Sequence, residues 1–325
     1  MRWMIYKERK RQEIRQRESQ LQKTQQGTAE YSILVEEQKK AKIIYAEDSK
    51  AYQRHTGARD AFLELALDMY SRCLASSDRF DDDGPIRFSS LWFANFDDDG
   101  IQDKLQEALD RVPSRKFVFL SHQLSARMSR SSAEIPMNQQ NLQGLVLRMC
   151  QEHPFHILYQ VFCLRPEQSS QSSGTRRSSP RLELISSQTD REGAANTIFE
   201  RLFSDPARAP RIKAIEHVCN ASLQWAKYPI KDRSMKKIEG ALRIPDSLLI
   251  RKLQDVQVPV ITCHTPIDPT LKYNDCVWIS HYDTAFTPAG GINMPKISVC
   301  YGSNGEKFKQ LVRYGQSMKF THVLI

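Results

Sequence analysis

The hydrophobic period changes once along this chain, near Ile244, and no other feature constrains the fold as strongly. Before that point apolar residues recur at helical spacing: Phe62, Leu63, Leu65, Ala66, Met69 and Tyr70 within 59–74, and Phe117, Leu120, Leu124 and Met128 within 116–128. The pattern returns over 142–150, 194–203 and 212–227. Short loops with Pro and Asp separate these stretches, which predicts an array of antiparallel helices like an α-solenoid. After Ile244 a Pro-punctuated bridge runs to Pro259, and β-branched or aromatic runs of strand length occupy 258–264, 277–282 and 296–301. A second region built on a sheet is therefore expected.

At 325 residues and 40% apolar composition the chain can bury a real core. Residues 2–55 are dense in Lys, Arg, Glu and Gln around sparse apolar positions, Ile14, Leu21, Leu34 and Ile43, and break near Gly27. They read as long helices that bury one narrow stripe. The string Phe-Asp-Asp-Asp-Gly occurs at 80–84 and again at 96–100. Neither copy alternates its carboxylates and closes on Glu as a calcium loop does. Both read as acidic turns capping the next helix, with Asp99 accepting from amides near Ile101 to Asp103. Residues 168–180, rich in Ser, read as a mobile loop.

A net charge of +9, from 47 basic and 38 acidic residues, permits an acidic partner but equally describes an ordinary solvated surface. Seven scattered cysteines without a CxxC pair argue against a disulfide scaffold and suggest a reducing compartment, cytoplasm or nucleus. Cys263, His264, Cys276 and His281 fit no common zinc-finger spacing and are placed inside predicted strands, so they read as small buried residues. No apolar run approaches the roughly 20 residues a membrane span needs, and the first residues show no secretory or mitochondrial pattern.

Between the second and third strand runs lies Ala289-Gly290-Gly291-Ile292-Asn293-Met294-Pro295. Adjacent glycines let backbone approach a ligand closely and expose amide donors to phosphate oxygens, although the spacing is neither G-x-G-x-x-G nor a Walker loop. Gly302-Ser303-Asn304-Gly305 then reads as a tight hairpin, with Asn-Gly supplying positive φ angles. On the strand that follows, Lys307, Lys309, Leu311 and Arg313 share one face. That places cations beside an apolar floor, as a phosphate site below adenine requires.

AGGINMPKI, the GSNG hairpin and KQLV resemble the amino lobe of the phosphatidylinositol 3-kinase-related protein kinases. Within that family they resemble the ataxia-telangiectasia-mutated branch of DNA-damage and telomere-maintenance kinases. RFSSLWFANF at 87–96, SRKFVFLSHQLSARM at 114–128 and EHPFHILYQ at 152–160 are similar to that branch's helical FAT region, so the resemblance covers about 59–312. It implies a mainly α fold, an α-solenoid-like FAT array followed by a truncated small β-sheet lobe. The implied divisions are a FAT region over 1–240 with a loop at about 165–192, a linker and first amino-lobe strands over 241–281, an amino-lobe fragment with the glycine loop over 282–312, and a non-family tail over 313–325.

The resemblance also implies a serine/threonine protein kinase acting on Ser-Gln or Thr-Gln sites with ATP and Mg or Mn. It would act in the nucleus, at DNA ends or telomeres, through a protein sensor complex, with nucleic acid contacted indirectly and a homodimer in the full-length form. Pro288, Ala289, Gly290, Gly291, Ile292, Asn293 and Met294 match the glycine loop, and Pro295 and Leu311 line the adenine pocket. Arg313 stands where the family has its phosphate-binding lysine, and a planar guanidinium is no conservative replacement for a compact ammonium. The residues after Val312 depart from the family and supply neither the catalytic loop with its base nor the metal-binding Asp. The polypeptide is therefore expected to be inactive alone, with no catalytic or metal-binding residue assigned, and the tail is read as intron read-through or a frameshift. The alternative, a non-catalytic helical interaction module, leaves the glycine turn without a role. Ser19-Gln20, Thr24-Gln25, Ser170-Gln171 and Ser187-Gln188 are read as chance matches to the substrate motif, with Ser170 the best of them.

Overall fold

The computed structural model describes residues 2–130, 134–165, 182–230, 237–238, 241–290, 294–314 and 321–324. The Ser-rich stretch expected to be a mobile loop, Ser170 within it and Gly291, Ile292 and Asn293 of the glycine turn lie outside the described residues. The chain divides into two compact units, Met1–Met69 and Tyr70–Ile325.

The first unit holds α1 (Arg2–Lys23) and most of α2 (Ala29–Ser76). Gly27 breaks the helical run because it takes φ 93°, a left-handed conformation that side chains disfavour. Thr28 then restarts it, its Oγ1 accepting the Tyr31 amide at 3.2 Å in the manner of an N-cap. Lys40 pairs with Glu36 one turn earlier at 2.8 Å, the kind of contact that keeps so polar a helix formed. The narrow stripe exists but is only half-buried: no described residue before Leu63 is fully buried, and Ile43 is 56% exposed instead of belonging to it. With few apolar residues available, amphipathic side chains tie the two helices. The Trp3 ring stacks on Tyr52 at 4.3 Å, the Tyr6 hydroxyl donates to Asp48, and Lys42 pairs with Glu18 at 2.9 Å.

The second unit opens with α3 (Gly84–Ala94) and α4 (Asp99–Arg111), followed by a 3₁₀ turn (Ser114–Leu120) and α5 (Ser121–Ser125). The array continues with α6 (Met137–Glu152), α7 (Pro154–Leu164), α8 (Leu182–Phe203) and α9 (Ala209–Lys227). Prolines start α3, α7 and α9, where a missing N–H is harmless. The apolar faces meet around Phe88, Trp92, Leu105, Phe117, Leu142 and Ile157, all fully buried.

Two local expectations change here. Residues 116–128 form no single helix, because buried Lys116 is drawn toward the loop before α3. Its Nζ donates to the Ser77 carbonyl at 3.1 Å and pairs with Asp78 and Asp81. The acidic turns do not cap with their side chains. Asp83 pairs instead with Arg87, and the Ile101 and Gln102 amides bond the Asp98 backbone carbonyl at 3.1 and 3.2 Å, leaving Asp99 inside the first turn of α4.

One antiparallel sheet follows: β1 (Lys237–Ile238), β2 (Ala241–Arg243), β3 (Gln254–Pro259), β4 (Trp278–Pro288), β5 (Lys296–Gly302), β6 (Lys307–Tyr314) and β7 (Thr321–Leu324). Their order is β1-β2-β4-β5-β6-β7, with β3 also paired to β4. The long β4 takes β2 and β3 at different stretches of one edge and β5 along nearly all of the other. The strand expected over 258–264 stops at Pro259, since the Cys263 amide turns back to the Val260 carbonyl at 2.9 Å. Cys263, His264 and Cys276 thus lie outside strands, and all seven cysteines are free thiols. The hairpin at 302–305 forms, with Gly305 alone of its residues at positive φ, 80°. Residues after Val312 continue β6 and add β7, which pairs Arg313 with His322 and so covers the β6 edge.

Candidate nucleotide-facing site

The two faces of β5 are built the opposite way round from a simple reading of its sequence. In Lys-Ile-Ser-Val-Cys-Tyr-Gly the apolar residues Ile297, Val299 and Tyr301 alternate with smaller or polar ones, and period-two logic would send the apolar set into the core. Instead Lys296, Ser298 and Cys300 are fully buried, whereas Ile297, Val299 and Tyr301 are only half-buried.

The buried face accommodates polar groups because α9 supplies their partners. Lys296 Nζ donates to the carbonyls of Trp225 at 2.6 Å and Ala226 at 2.9 Å. The Trp225 indole Nε1 donates to Ser298 Oγ at 2.9 Å, and the Tyr282 hydroxyl donates to Gln310 Oε1 at 3.0 Å. Lys296, Ser298, Trp225 and Tyr282 thus all have partners, as burial demands, while Gln310 Nε2 has none among the described residues. Burial nevertheless pushes the Lys296 ammonium down to about 8.

Strand register organises the half-open face. Thr287, Ile297 and Leu311 lie side by side across β4, β5 and β6, and Val299 lies beside Lys309. Farther along, Lys307 pairs with Tyr301, whose ring stacks on His281 at 4.5 Å. Along β6, Lys307, Lys309 and Arg313 are exposed and Leu311 half-buried, while Gln310 and Val312 are buried, so the shared face expected for these four residues is present.

The described ends of the glycine turn, Pro288 to Gly290 and Met294 to Pro295, adjoin one end of this sheet. Pro288 pairs with Lys296, and the Ala289 amide donates to the Pro295 carbonyl at 2.7 Å, closing the loop. Met294, at φ 36° and 43% exposed, marks the return of the chain. A Cβ added at Gly290 would meet nothing within 4 Å, so space beside that backbone is free. The structure thus brings together Pro288, Ala289, Gly290, Met294, Pro295, Leu311 and Arg313 around one end of the sheet. The row Ile297, Val299 and Leu311 makes an apolar floor with cations at its margin, which suits a flat base and a phosphate chain. Among the described residues no group of three or more His, Cys, Asp or Glu side chains could hold a metal ion. The residues present fit the nucleotide and not its metal.

A cavity of ≈ 370 Å³ lies elsewhere, between Asp81, Arg115, Phe119, Ile267 and Pro269. Its cations are already engaged: Arg115 reaches Asp78 at 2.6 Å and Lys116 is enclosed by Asp78 and Asp81, which leaves them poor receptors for an added anion. Sequence reasoning missed the Lys296, Trp225 and Ser298 set. The available signal was the polar half of the β5 alternation facing a helix that ends in Trp-Ala-Lys.

Fold and face together define a helical array leading into an open antiparallel sheet with a glycine turn at one end. No protein-family model matches the chain. It is 30% identical over 281 residues to the serine/threonine-protein kinase TEL1 of Cryptococcus neoformans var. neoformans serotype D (strain B-3501A), covering 85% of this chain and 9% of that kinase. To the serine-protein kinase ATM of Sus scrofa it is 30% identical over 267 residues, 78% of this chain and 8% of that kinase. The solved FAT and kinase domain of CtTel1 shares its fold, with a TM-score of 0.72 over 96% of this chain and 20% of that one at 22% identity. The chain therefore matches, in sequence and fold, the stretch of Tel1 and ATM kinases where helical array passes into amino lobe, and it spans less than a tenth of the length of those two relatives.

Proposed function

We propose that this chain is the FAT-to-amino-lobe segment of a Tel1/ATM-type serine/threonine protein kinase, and that the half-open face of its sheet is the wall against which ATP lies. The observation that carries this reading is the inverted β5, whose apolar residues line an accessible floor beneath a glycine turn instead of the core. The similarity to Tel1 and ATM kinases supports it. In this reading the FAT region spans 1–240, the linker and first lobe strands 241–281, the glycine-loop fragment 282–312 and a divergent tail 313–325.

Each residue has a part that its geometry suits. Leu311, with Ile297 and Val299 beside it, packs on the adenine ring, and Pro288 and Pro295 stiffen the two ends of the turn. Amides at the described ends of the glycine turn, Gly290 and Met294, face the phosphates, and Arg313 and Lys309 hold them electrostatically. ATP supplies the phosphoryl group when bound. The chain's own residues bind and orient it, and they include no assigned base or metal ligand. The 325-residue polypeptide is accordingly an ATP-facing scaffold that does not turn over by itself. As a segment of such a kinase it would serve phosphorylation of Ser-Gln and Thr-Gln sites in nuclear DNA-damage and telomere signalling, with protein sensor partners and a dimeric full-length form.

Titrating a fluorescent ATP derivative and assaying a Ser-Gln peptide test this directly. Saturable binding competed by ATP, with no peptide phosphorylation, is expected. Absence of binding at millimolar nucleotide would remove the site, and turnover would remove the inactive-scaffold reading.

A further inference from the structure

We infer that Lys296 is a positioning residue: by gripping the carboxyl end of α9 it fixes the base of the glycine turn, so that the helical array sets the geometry of the nucleotide-facing wall. The consequence for the wall rests on the nucleotide reading above; the grip itself does not.

Lys296 is the first residue of β5, with Pro288 as its register partner on one side and Val312 on the other. It therefore sits where three strands meet at the foot of the turn, one residue beyond the Ala289-to-Pro295 hydrogen bond that closes the loop. Its side chain leaves the opposite face and is fully buried. There Nζ bonds the Trp225 and Ala226 carbonyls and lies 4.6 Å from the centroid of the Trp225 ring. Those carbonyls belong to the last turn of α9, where the helix dipole is negative, and the Trp225 carbonyl also accepts the Tyr228 amide at 3.2 Å. Two residues along the same strand face, Ser298 receives the Trp225 indole N–H. One helix end thus holds two successive inward positions of the strand that leaves the turn.

Chemistry separates this contact from ordinary packing. Among the described residues no carboxylate pairs with Lys296, so its burial is opposed by desolvation that an apolar side chain of the same length would avoid. What lysine adds at this position is direction: a charged donor aimed at two particular carbonyls. A shift of the α9 end would pull first on Lys296 and, through Pro295, on the turn.

Hydrogen exchange of the 325-residue chain, read over peptides spanning 286–297, tests the grip without nucleotide. Lys296→Met should speed exchange there about tenfold or more, the effect of losing charge-assisted bonds. Leu145→Ala, in the α6 core, should leave that segment unchanged despite a larger loss of thermal stability. Should Lys296→Met fail to fold, Ser298→Ala removes only the second tie and should speed exchange about threefold. Exchange in the turn no faster than in Leu145→Ala overturns the proposal. With a fluorescent ATP derivative, Lys296→Met should weaken binding about tenfold relative to wild type; faster exchange with unchanged affinity overturns the positioning role. Failure of the wild-type chain to bind nucleotide would sink the nucleotide reading alone, because the exchange result still decides whether Lys296 holds the turn.

Discussion

Two lysines are buried among the described residues of the second unit, and their surroundings differ completely. Lys116, in the helical array, is enclosed by the Asp78 and Asp81 carboxylates and the Ser77 carbonyl. Among the described residues Lys296, in the sheet, meets carbonyls and an indole ring and no carboxylate. The first is a neutralised ionic knot that fastens a 3₁₀ turn to a loop. The second is a cation kept without a counter-charge, which raises the free energy of the folded state and aims a donor in return. The array uses buried charge to close its structure, and the sheet uses it to aim a turn.

Removing each lysine tests that contrast. Lys116→Met should cost about 3 kcal/mol in urea unfolding, since it strands carboxylates that fold around it, with the exposure of Asp78 limiting the loss. A smaller loss than for Lys296→Met would break the comparison. Gly302→Ala follows at about 2 kcal/mol, because a Cβ there would lie 2.5 Å from Val277 Cγ1 and 2.6 Å from Asn304 Oδ1. The corresponding change Gly290→Ala should alter stability by less than about 0.5 kcal/mol and act on nucleotide affinity instead. Lys296→Met should cost about 1 kcal/mol, lost hydrogen bonds being offset by relief of desolvation.

Stability rises with pH at both sites, but in separate windows and from opposite causes, a carboxylate favoured by its partners and an ammonium disfavoured by burial. Lys116 and Arg115 hold the Asp78 carboxyl down to about 2, below its ordinary 3.8. Its contribution to stability is present above pH 4 and disappears as pH falls toward 2, and Asp78→Asn should flatten that acid limb. Lys296 is pushed below its ordinary 10.5 to about 8, so between those values the unfolded chain binds the proton that the folded protein has released. Stability should therefore rise with pH through that window, by at most about 1.4 kcal/mol per unit, and Lys296→Met should abolish the rise. Urea midpoints from pH 8 to pH 10 measure it.

The sequence made the existence of both regions legible, since the helical period over 142–150 and 212–227 and the β-branched runs near 277–301 are properties of neighbouring residues. The glycine turn and the shared face of Lys307, Lys309, Leu311 and Arg313 were legible for the same reason. The two lysines were not, because their partners are remote: Lys116 meets Asp78 across 38 positions, and Lys296 meets Trp225 across 71. The facing of β5 was hidden as well, because which half of an alternating strand enters the core depends on what packs against it. The strand expected over 258–264 failed at Pro259 through turn chemistry, a short-range hydrogen bond that β-propensity does not report.

Photolabelling with 8-azido-ATP tests the central claim most directly, because the label is deposited wherever the adenine ring rests. The proposed wall predicts ATP-competed adducts on peptides from 288–313, lost or much reduced in Leu311→Asp. Competed adducts around Arg115 and Phe119, at the separate cavity, or none that ATP displaces, would contradict it.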